Sequence, residues 1–123
     1  MKRSAAALAL GTGILLGCVA AAQAKSQIGM ASYYKMGTRT ASGERYNPNG
    51  LTAAHPNLPF GTRVLVTNLE NGKSVIVRIN DRGPFTHKRV MDLSFGAAKV
   101  VGLTAAGVGK IKYTVLELTL LSP

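Results

Sequence analysis

The sequence has little of what redox or metal chemistry requires. Its 123 residues include one Cys, no Trp and two His. A single Cys cannot form a disulfide within the chain, and there is no Cys cluster to hold structural zinc or an iron–sulfur cluster. His55 and His87 are 32 positions apart with no patterned partner. We therefore expect neither a metal site nor a cofactor.

Acidic residues are also scarce. The chain has 5 Asp and Glu against 15 Lys and Arg, a formal net charge of +10. This balance favours a polyanionic partner, and nucleic acid is the first class to consider. The sequence has no aromatic RNA-binding motif and no helix-turn-helix pattern, and its N-terminus predicts export, so we expect no nucleic-acid partner. An alternative is that the charge only keeps a small protein soluble.

Long apolar segments are absent as well. The N-terminal apolar run, Ala5 to Leu16, has about half of the roughly 20 residues that a membrane-spanning helix needs. Lys2 and Arg3 precede this run and Ala22-Gln23-Ala24 follows it, which is typical of an export signal. We predict a signal peptide over residues 1–24 and one small domain over residues 25–123.

The single cysteine lies inside this signal. Leu15-Leu16-Gly17-Cys18 resembles a bacterial lipobox, in which the Cys becomes the lipidated first residue. On that alternative the signal covers residues 1–17 and Cys18 carries a membrane anchor. On the other, Cys18 is an ordinary residue of a signal cut after Ala24. Both predict export to the periplasm, as a soluble or a membrane-anchored protein, and loss of Lys2 and Arg3 lowers the formal charge from +10 to +8.

Short apolar alternations separated by turn residues make up the rest of the chain. Arg63–Thr67 and Ser74–Ile79 flank Asn71-Gly72, which predicts a tight hairpin with two positive-φ turn residues. Further strands are expected at Gly29–Tyr34, Arg89–Leu93 and Ile111–Leu118.

One short helix and one long loop complete the prediction. Ser94 is a good N-cap, Phe95–Val101 follow it, and Gly102 is typical of a helix end. The segment Lys35–Pro59 is rich in Gly, Asn, Thr and Pro, and a loop of this length is usually functional. An antiparallel set of this size most safely closes into a barrel, so we predict a mainly β fold with one helix.

Titratable loop residues are the candidates for chemistry. Asp81 follows a predicted strand, while Glu44 and His55 lie in the long loop. Two carboxyl groups facing one cleft are the arrangement that cleaves glycosidic bonds. Asp81 taken alone is about equally well explained as a turn cap, and a lone loop Glu or His is more often solvated than catalytic. The spacing leaves open whether the three converge.

Several sequence blocks, in order, resemble the rare lipoprotein A family. The similarity extends from Gly29 to about Leu118. The matching blocks are Met30-Ala31-Ser32-Tyr33-Tyr34, Thr40-Ala41-Ser42-Gly43-Glu44-Arg45-Tyr46, Leu51-Thr52-Ala53-Ala54-His55, Leu58-Pro59-Phe60-Gly61-Thr62-Arg63-Val64, Val66-Thr67-Asn68, Asn71-Gly72, Val77-Arg78-Ile79-Asn80-Asp81-Arg82-Gly83-Pro84-Phe85 and Asp92-Leu93-Ser94.

The resemblance implies a six-stranded double-psi β-barrel, the fold also found in expansins and barwin-like proteins. It implies an endolytic lytic transglycosylase that cleaves MurNAc–GlcNAc bonds of peptidoglycan, forms 1,6-anhydro-MurNAc and prefers strands without stem peptides. We expect a monomer whose partner is the peptidoglycan strand. Because expansin-like barrels bind polysaccharide without cutting it, a non-catalytic wall-glycan-binding module is the alternative. Longer members carry a SPOR domain, and we expect none here.

The resemblance also implies site residues. The family's essential Glu, His and Asp fall on Glu44, His55 and Asp81. Asp92 matches a functional acid of expansin-like barrels, although capping and the helix dipole alone favour an acid there. A guanidinium of Arg82 facing the cleft would favour an ionised Asp81, which leaves Glu44 as the acid. The candidate substrate-binding residues are Asp92, Asn80, Arg82, Tyr34 and Tyr33.

Overall fold

A computed structural model describes residues 26–117 of the chain. The predicted signal peptide and the possible lipidation site Cys18 lie outside these residues. Within residues 26–117 no helix has the length and apolar character needed to span a membrane. The elements, in chain order, are β1 (Ser26–Tyr34), β2 (Thr52–Ala54), β3 (Arg63–Asn68), β4 (Ser74–Asp81), β5 (Met91–Ser94), α1 (Phe95–Val100) and β6 (Val108–Glu117).

The six strands close into a barrel in the order β1-β5-β2-β4-β3-β6. The predicted barrel with one short helix is therefore confirmed, but an all-antiparallel arrangement is wrong. β1 pairs with β5 in parallel, and β2 pairs with β4 in parallel. Parallel pairs need long crossovers rather than hairpins, and the connections between these strands are long enough to cross an end of the barrel.

Alternating side chains fill the barrel. Along β3, Val64 and Val66 are buried, whereas Arg63 is exposed and Leu65 and Thr67 are partly exposed, as period-two alternation requires. Burying one such aliphatic side chain contributes about 1.5–3 kcal/mol relative to exposure. The buried core also includes Val77, Ile79, Met91, Leu93, Val101, Leu103 and Ile111.

The predicted hairpin between β3 and β4 is present, but its turn is longer than two residues. Asn68 N donates to Lys73 O (2.8 Å) and Gly72 N donates to Asn68 O (2.8 Å), so residues 69–72 form the loop. Gly72 has φ +76°, whereas Asn71 does not have positive φ. The amide of Asn71 instead donates to the carbonyl at the end of α1 (3.1 Å), and this tertiary bond holds the longer turn.

The helix begins at the predicted residue. Ser94 Oγ accepts a hydrogen bond from Ala97 N (3.2 Å) and donates to Gly50 O (2.7 Å). This buried N-cap therefore ties α1 to the long loop. Gly96 packs against the same loop, because its N–H donates to Pro48 O (2.7 Å). A Cβ at this position would lie 2.9 Å from backbone atoms of Asn49 and Gly50.

The segment predicted as one loop, Lys35–Pro59, contains a strand. Thr52–Ala54 form β2, which is buried along its length and pairs with both β4 and β5. Three buried residues are too few for a period to show in the sequence. The predicted strand at Arg89–Leu93 also begins later, at Met91.

Candidate active site

A β-bulge sets the direction of the Asp81 side chain. The β2–β4 register pairs Thr52 with Arg78, Ala53 with Ile79 and Ala54 with Asp81, so Asn80 is the extra residue. Ile79 and Asn80 are consecutive buried residues, which breaks the alternation of β4. The bulge therefore returns Asp81 to the outer face that also carries Arg78.

Three hydrogen-bond donors converge on the Asp81 carboxylate. Oδ1 accepts from Ala41 N and from Arg82 N, each at 2.9 Å. Oδ2 accepts from the hydroxyl of Tyr34 at 3.1 Å. The donors come from the end of β1, from the long loop and from the residue after β4. The tertiary structure therefore fixes the orientation of this carboxylate through hydrogen bonds to both of its oxygens.

The first part of the long loop follows the end of β4. Thr40 N donates to Glu44 O (2.8 Å), which closes a turn in which Gly43 has φ +93°. Ser42 N donates to Asn80 O (3.2 Å), next to the bulge. Glu44 is thereby placed over the outer face of β4, where Asp81 also lies.

Glu44 makes a bidentate ion pair with Arg78. Nη1 donates to Oε1 at 2.9 Å and Nη2 donates to Oε2 at 2.7 Å. The hydrogen bonds from Arg78 are the main cause that lowers the pKa of Glu44, and the side chain of Asn80 adds a smaller contribution. Glu44 is therefore an ionised carboxylate at neutral pH.

Arg82 does not point its guanidinium at Asp81. Nη1 of Arg82 donates to His55 O (3.2 Å) and Leu58 O (2.8 Å), and the guanidinium lies over the ring of Phe60 at 4.1 Å. The condition under which Arg82 would favour an ionised Asp81, a guanidinium facing that carboxylate, is therefore not met. Arg82 instead fixes the loop that follows β2, and only its backbone N–H reaches the carboxylate of Asp81.

The ring of His55 is buried and fully engaged. Nδ1 accepts from Asn57 N (3.2 Å) and Leu58 N (3.1 Å), so the neutral ring carries its proton on Nε2, which lies 3.0 Å from the hydroxyl of Tyr113. Burial, followed by the charge of Arg82, lowers the pKa of His55 to about 4. What reaches Asp81 is the backbone of His55, whose N–H donates to Asp81 O (3.2 Å).

Two aromatic rings form one wall of the site. The rings of Tyr34 and Tyr46 stack at 4.7 Å, and the hydroxyl of Tyr46 donates to Tyr34 O. Burial is the main cause that raises the pKa of Tyr34, and the charge of Asp81 is the next. Tyr34 therefore stays protonated and donates to Asp81. The sequence analysis did not single out Tyr46, although it ends the block that contains Glu44.

Asp92 lies close to the same hydroxyl. Ala54 pairs with Asp81 on one side and with Asp92 on the other, and the charge of Asp92 also contributes to the raised pKa of Tyr34. Asp92 is ion-paired with Arg89, with Nε 2.9 Å from Oδ1. Because Ser94 is the N-cap, capping of α1 does not explain Asp92.

Two further residues that were predicted to bind substrate, Asn80 and Tyr33, have side chains that pack inward. Asn80 is buried beside Glu44, and its Oδ1 has no hydrogen-bond partner within residues 26–117. Tyr33 points away from Tyr34, as strand alternation requires, and packs against the core, with its hydroxyl donating to Thr104 O (3.3 Å). Within residues 26–117 no group of three His, Cys, Asp or Glu side chains is arranged to hold a metal ion.

A family model described as "Lytic transglycolase" matches residues 26–113. A probable endolytic peptidoglycan transglycosylase RlpA of Synechocystis is 60% identical over 92 residues, covering 72% of this chain and 29% of that protein. The endolytic peptidoglycan transglycosylase RlpA of Haemophilus influenzae is 52% identical over 100 residues, covering 77% and 35%. The chain thus spans about a third of the length of these relatives.

Solved structures show the same fold at low identity. A Streptomyces papain inhibitor superposes with a TM-score of 0.65 at 21% identity, covering 76% of this chain and 96% of that chain. An expansin of Clavibacter michiganensis superposes with a TM-score of 0.64 at 21% identity, covering 76% and 51%. At this identity both similarities show the fold of the barrel only, because proteins with one fold can have different functions.

Proposed function

The chain belongs to the lytic transglycolase family, with the double-psi β-barrel of the rare lipoprotein A proteins, and from this we propose that it is an endolytic peptidoglycan lytic transglycosylase. The bond cleaved is the MurNAc–GlcNAc glycosidic bond, and the product ends in 1,6-anhydro-MurNAc. The preferred substrate is a glycan strand without stem peptides.

The observation that carries this proposal is that Glu44 and Asp81 lie on the same outer face of β4. The bulge at Asn80 turns Asp81 outward, and the turn at residues 40–44 lays Glu44 along the same strand. Two carboxyl groups facing one cleft are what glycosidic cleavage needs, because one handles the proton while the other faces positive charge at the anomeric carbon.

The surroundings of the two carboxylates suggest their roles. Glu44 is held ionised by Arg78 and is suited to stabilise positive charge at C1. Asp81 then handles the proton at Oδ2, the oxygen that, among the described residues, meets only the Tyr34 hydroxyl, a group able to donate or accept. Its carboxyl group protonates the glycosidic oxygen as the C1–O bond breaks. The C6 hydroxyl bonds to C1, and the same carboxylate takes the hydroxyl proton, so no water is consumed. This division of roles replaces the one in which Glu44 is the acid.

His55 acts in this scheme as a positioning residue. Its ring holds the backbone of Asn57 and Leu58, and the carbonyls of this loop hold the guanidinium of Arg82. The backbone of Arg82 in turn donates to Asp81. A buried neutral ring with both nitrogens engaged is suited to fixing a loop rather than to exchanging protons with a substrate.

The setting we propose is the periplasm, and the charge of +8 after removal of Lys2 and Arg3 suits the anionic wall. A monomer is sufficient for the proposed site. The mass of the mature N-terminus decides between the two forms of the protein. A lipidated Cys18 places it on a membrane, whereas a start at Lys25 leaves it free.

The test is incubation of the mature domain with purified peptidoglycan, intact and stripped of stem peptides, followed by mass analysis of soluble products. We expect anhydro-ended glycans from the wild type and none from Asp81→Asn. Glu70→Gln, a substitution in the β3–β4 turn, is the matched control and should keep full activity. Reducing-end products would mean hydrolysis, and binding without any product would favour a non-catalytic wall-glycan module.

A further inference from the structure

A second concavity lies beside the proposed site. It has a volume of about 620 Å³ and is bounded by the loop after β2, by residues between Pro84 and Val90, and by residues of β1 and β6 that include Tyr113. We call it the Phe85 cavity. Neither Glu44 nor Asp81 lines it, whereas His55 and Arg89 do. Its volume falls within the range of about 300–1,000 Å³ that is typical of ligand pockets.

The wall of the Phe85 cavity combines apolar surface with one exposed aromatic ring. Pro84, Val90 and Val115 contribute apolar surface, and Phe85 lines it with 86% of its surface exposed. An aromatic ring that stays in water beside a concavity offers a flat apolar face to a ligand. Folding does not use this face, so it is available for binding.

Among the described residues that line the Phe85 cavity, Arg89 is the side chain that carries a formal charge. Arg89 uses Nε and Nη2 on Asp92, while its Nη1 has no hydrogen-bond partner within residues 26–117. No Asp or Glu of the described residues lines the Phe85 cavity. An anionic group therefore meets an unused guanidinium donor there and no opposing carboxylate in the wall.

We propose that the Phe85 cavity is a remote subsite for an acidic sugar unit of the glycan strand. The sugar packs its apolar face on the ring of Phe85, and its carboxylate accepts a hydrogen bond from Nη1 of Arg89. Asp81 and Phe85 are four residues apart, so their Cα atoms lie within about 14 Å. One strand can therefore occupy the reaction site and the subsite together. This inference rests on the proposed function, and it adds a second place on the protein at which the glycan strand is bound.

Kinetics of Phe85→Ala on stripped strands of graded length test the subsite. We expect KM on long strands to rise about three- to tenfold, which is the loss of one aromatic contact, with kcat unchanged. The effect should vanish on the shortest strands that the wild type cleaves, because these do not reach the cavity. Phe85→Leu should recover only part of the loss. Leu69→Ala, which removes an exposed side chain outside the cavity, should change nothing.

The role of the sugar carboxylate is tested by changing the substrate. A substitution of Arg89 would also remove its ion pair with Asp92. Strands whose carboxyl groups have been converted to neutral amides should bind the wild type about tenfold more weakly. An equal KM for Phe85→Ala and wild type on long strands would overturn the subsite. An effect confined to strands that retain stem peptides would also overturn it, since the occupant would then be peptide.

Calorimetric titration with the same strands separates the two proposals. If the wild type forms no product, the proposed function fails, and weaker strand binding by Phe85→Ala would still support the subsite. If the wild type forms product but Phe85→Ala binds and cleaves the strands as well as the wild type does, only the subsite fails. The melting temperature of Phe85→Ala should match that of the wild type, because an exposed side chain contributes little to stability.

Discussion

At the residue scale, Glu44 and Asp81 carry the same group in different surroundings, and pH dependence distinguishes their roles. Arg78 holds the pKa of Glu44 below its ordinary value. If Glu44 acts as the ionised carboxylate that we propose, the acidic limb of the pH–rate profile reports it. We expect Glu44→Gln to lower kcat by about 10²–10³-fold while the alkaline limb remains. Arg78→Gln should move the acidic limb to higher pH. Loss of the alkaline limb in Glu44→Gln would make Glu44 the acid.

His55 predicts a pH dependence of stability. Its pKa is about 4 in the folded protein against an ordinary 6.5, so as pH falls from 6.5 to 4 the unfolded chain takes up a proton that the folded chain does not. Stability is therefore lost over this window, by up to about 3 kcal/mol. Urea unfolding at pH 7.5 and 4.5 measures the loss, which should be smaller in His55→Asn. An equal loss in the variant would assign the pH dependence to other groups.

At the element scale, the start of α1 is packed against the loop that leads to β2. A Cβ at Gly96 would lie 2.9 Å from backbone atoms that cannot move aside as a flexible side chain does. We expect Gly96→Ala to lower the free energy of unfolding by about 1–3 kcal/mol despite alanine's higher helix propensity. Chemical denaturation measures this, with Val100→Ala on the exposed side of α1 as control. Unchanged stability in Gly96→Ala would mean that residues 49–50 relax freely.

At the scale of the whole molecule, the positive charge should govern attraction to the wall polymer. Asp81→Asn, which the proposed function expects to be inactive, allows binding to be measured without cleavage. We expect its affinity for stripped anionic strands to fall on the order of tenfold between low and high salt, since screening removes long-range attraction. Chitin strands, which are uncharged, are the control and should show little change. Equal salt dependence for both polymers would show that charge does not select the partner.

The sequence by itself determined the elements whose signals are local. The alternation in β3 and β4 and the Ser94 N-cap are each visible within a few positions. The scarcity of acidic residues is visible in the composition. β2 was not predicted because three buried residues show no period. The prediction of a two-residue turn was wrong because the Asn71 side chain bonds to the end of α1, which is distant in the sequence. The matching blocks identified the family because several ordered motifs together are far more specific than any one.

Only the tertiary structure decided how the candidate residues meet. The sequence named Glu44, His55 and Asp81, but it could not show that a bulge turns Asp81 toward the Glu44 face, or that the ring of His55 is buried against Tyr113. It also suggested an Arg82 contact that the carbonyls of a neighbouring loop take instead. The physical reason is that side-chain direction and charge pairing depend on contacts between segments far apart in the chain, whereas sequence patterns report only neighbours.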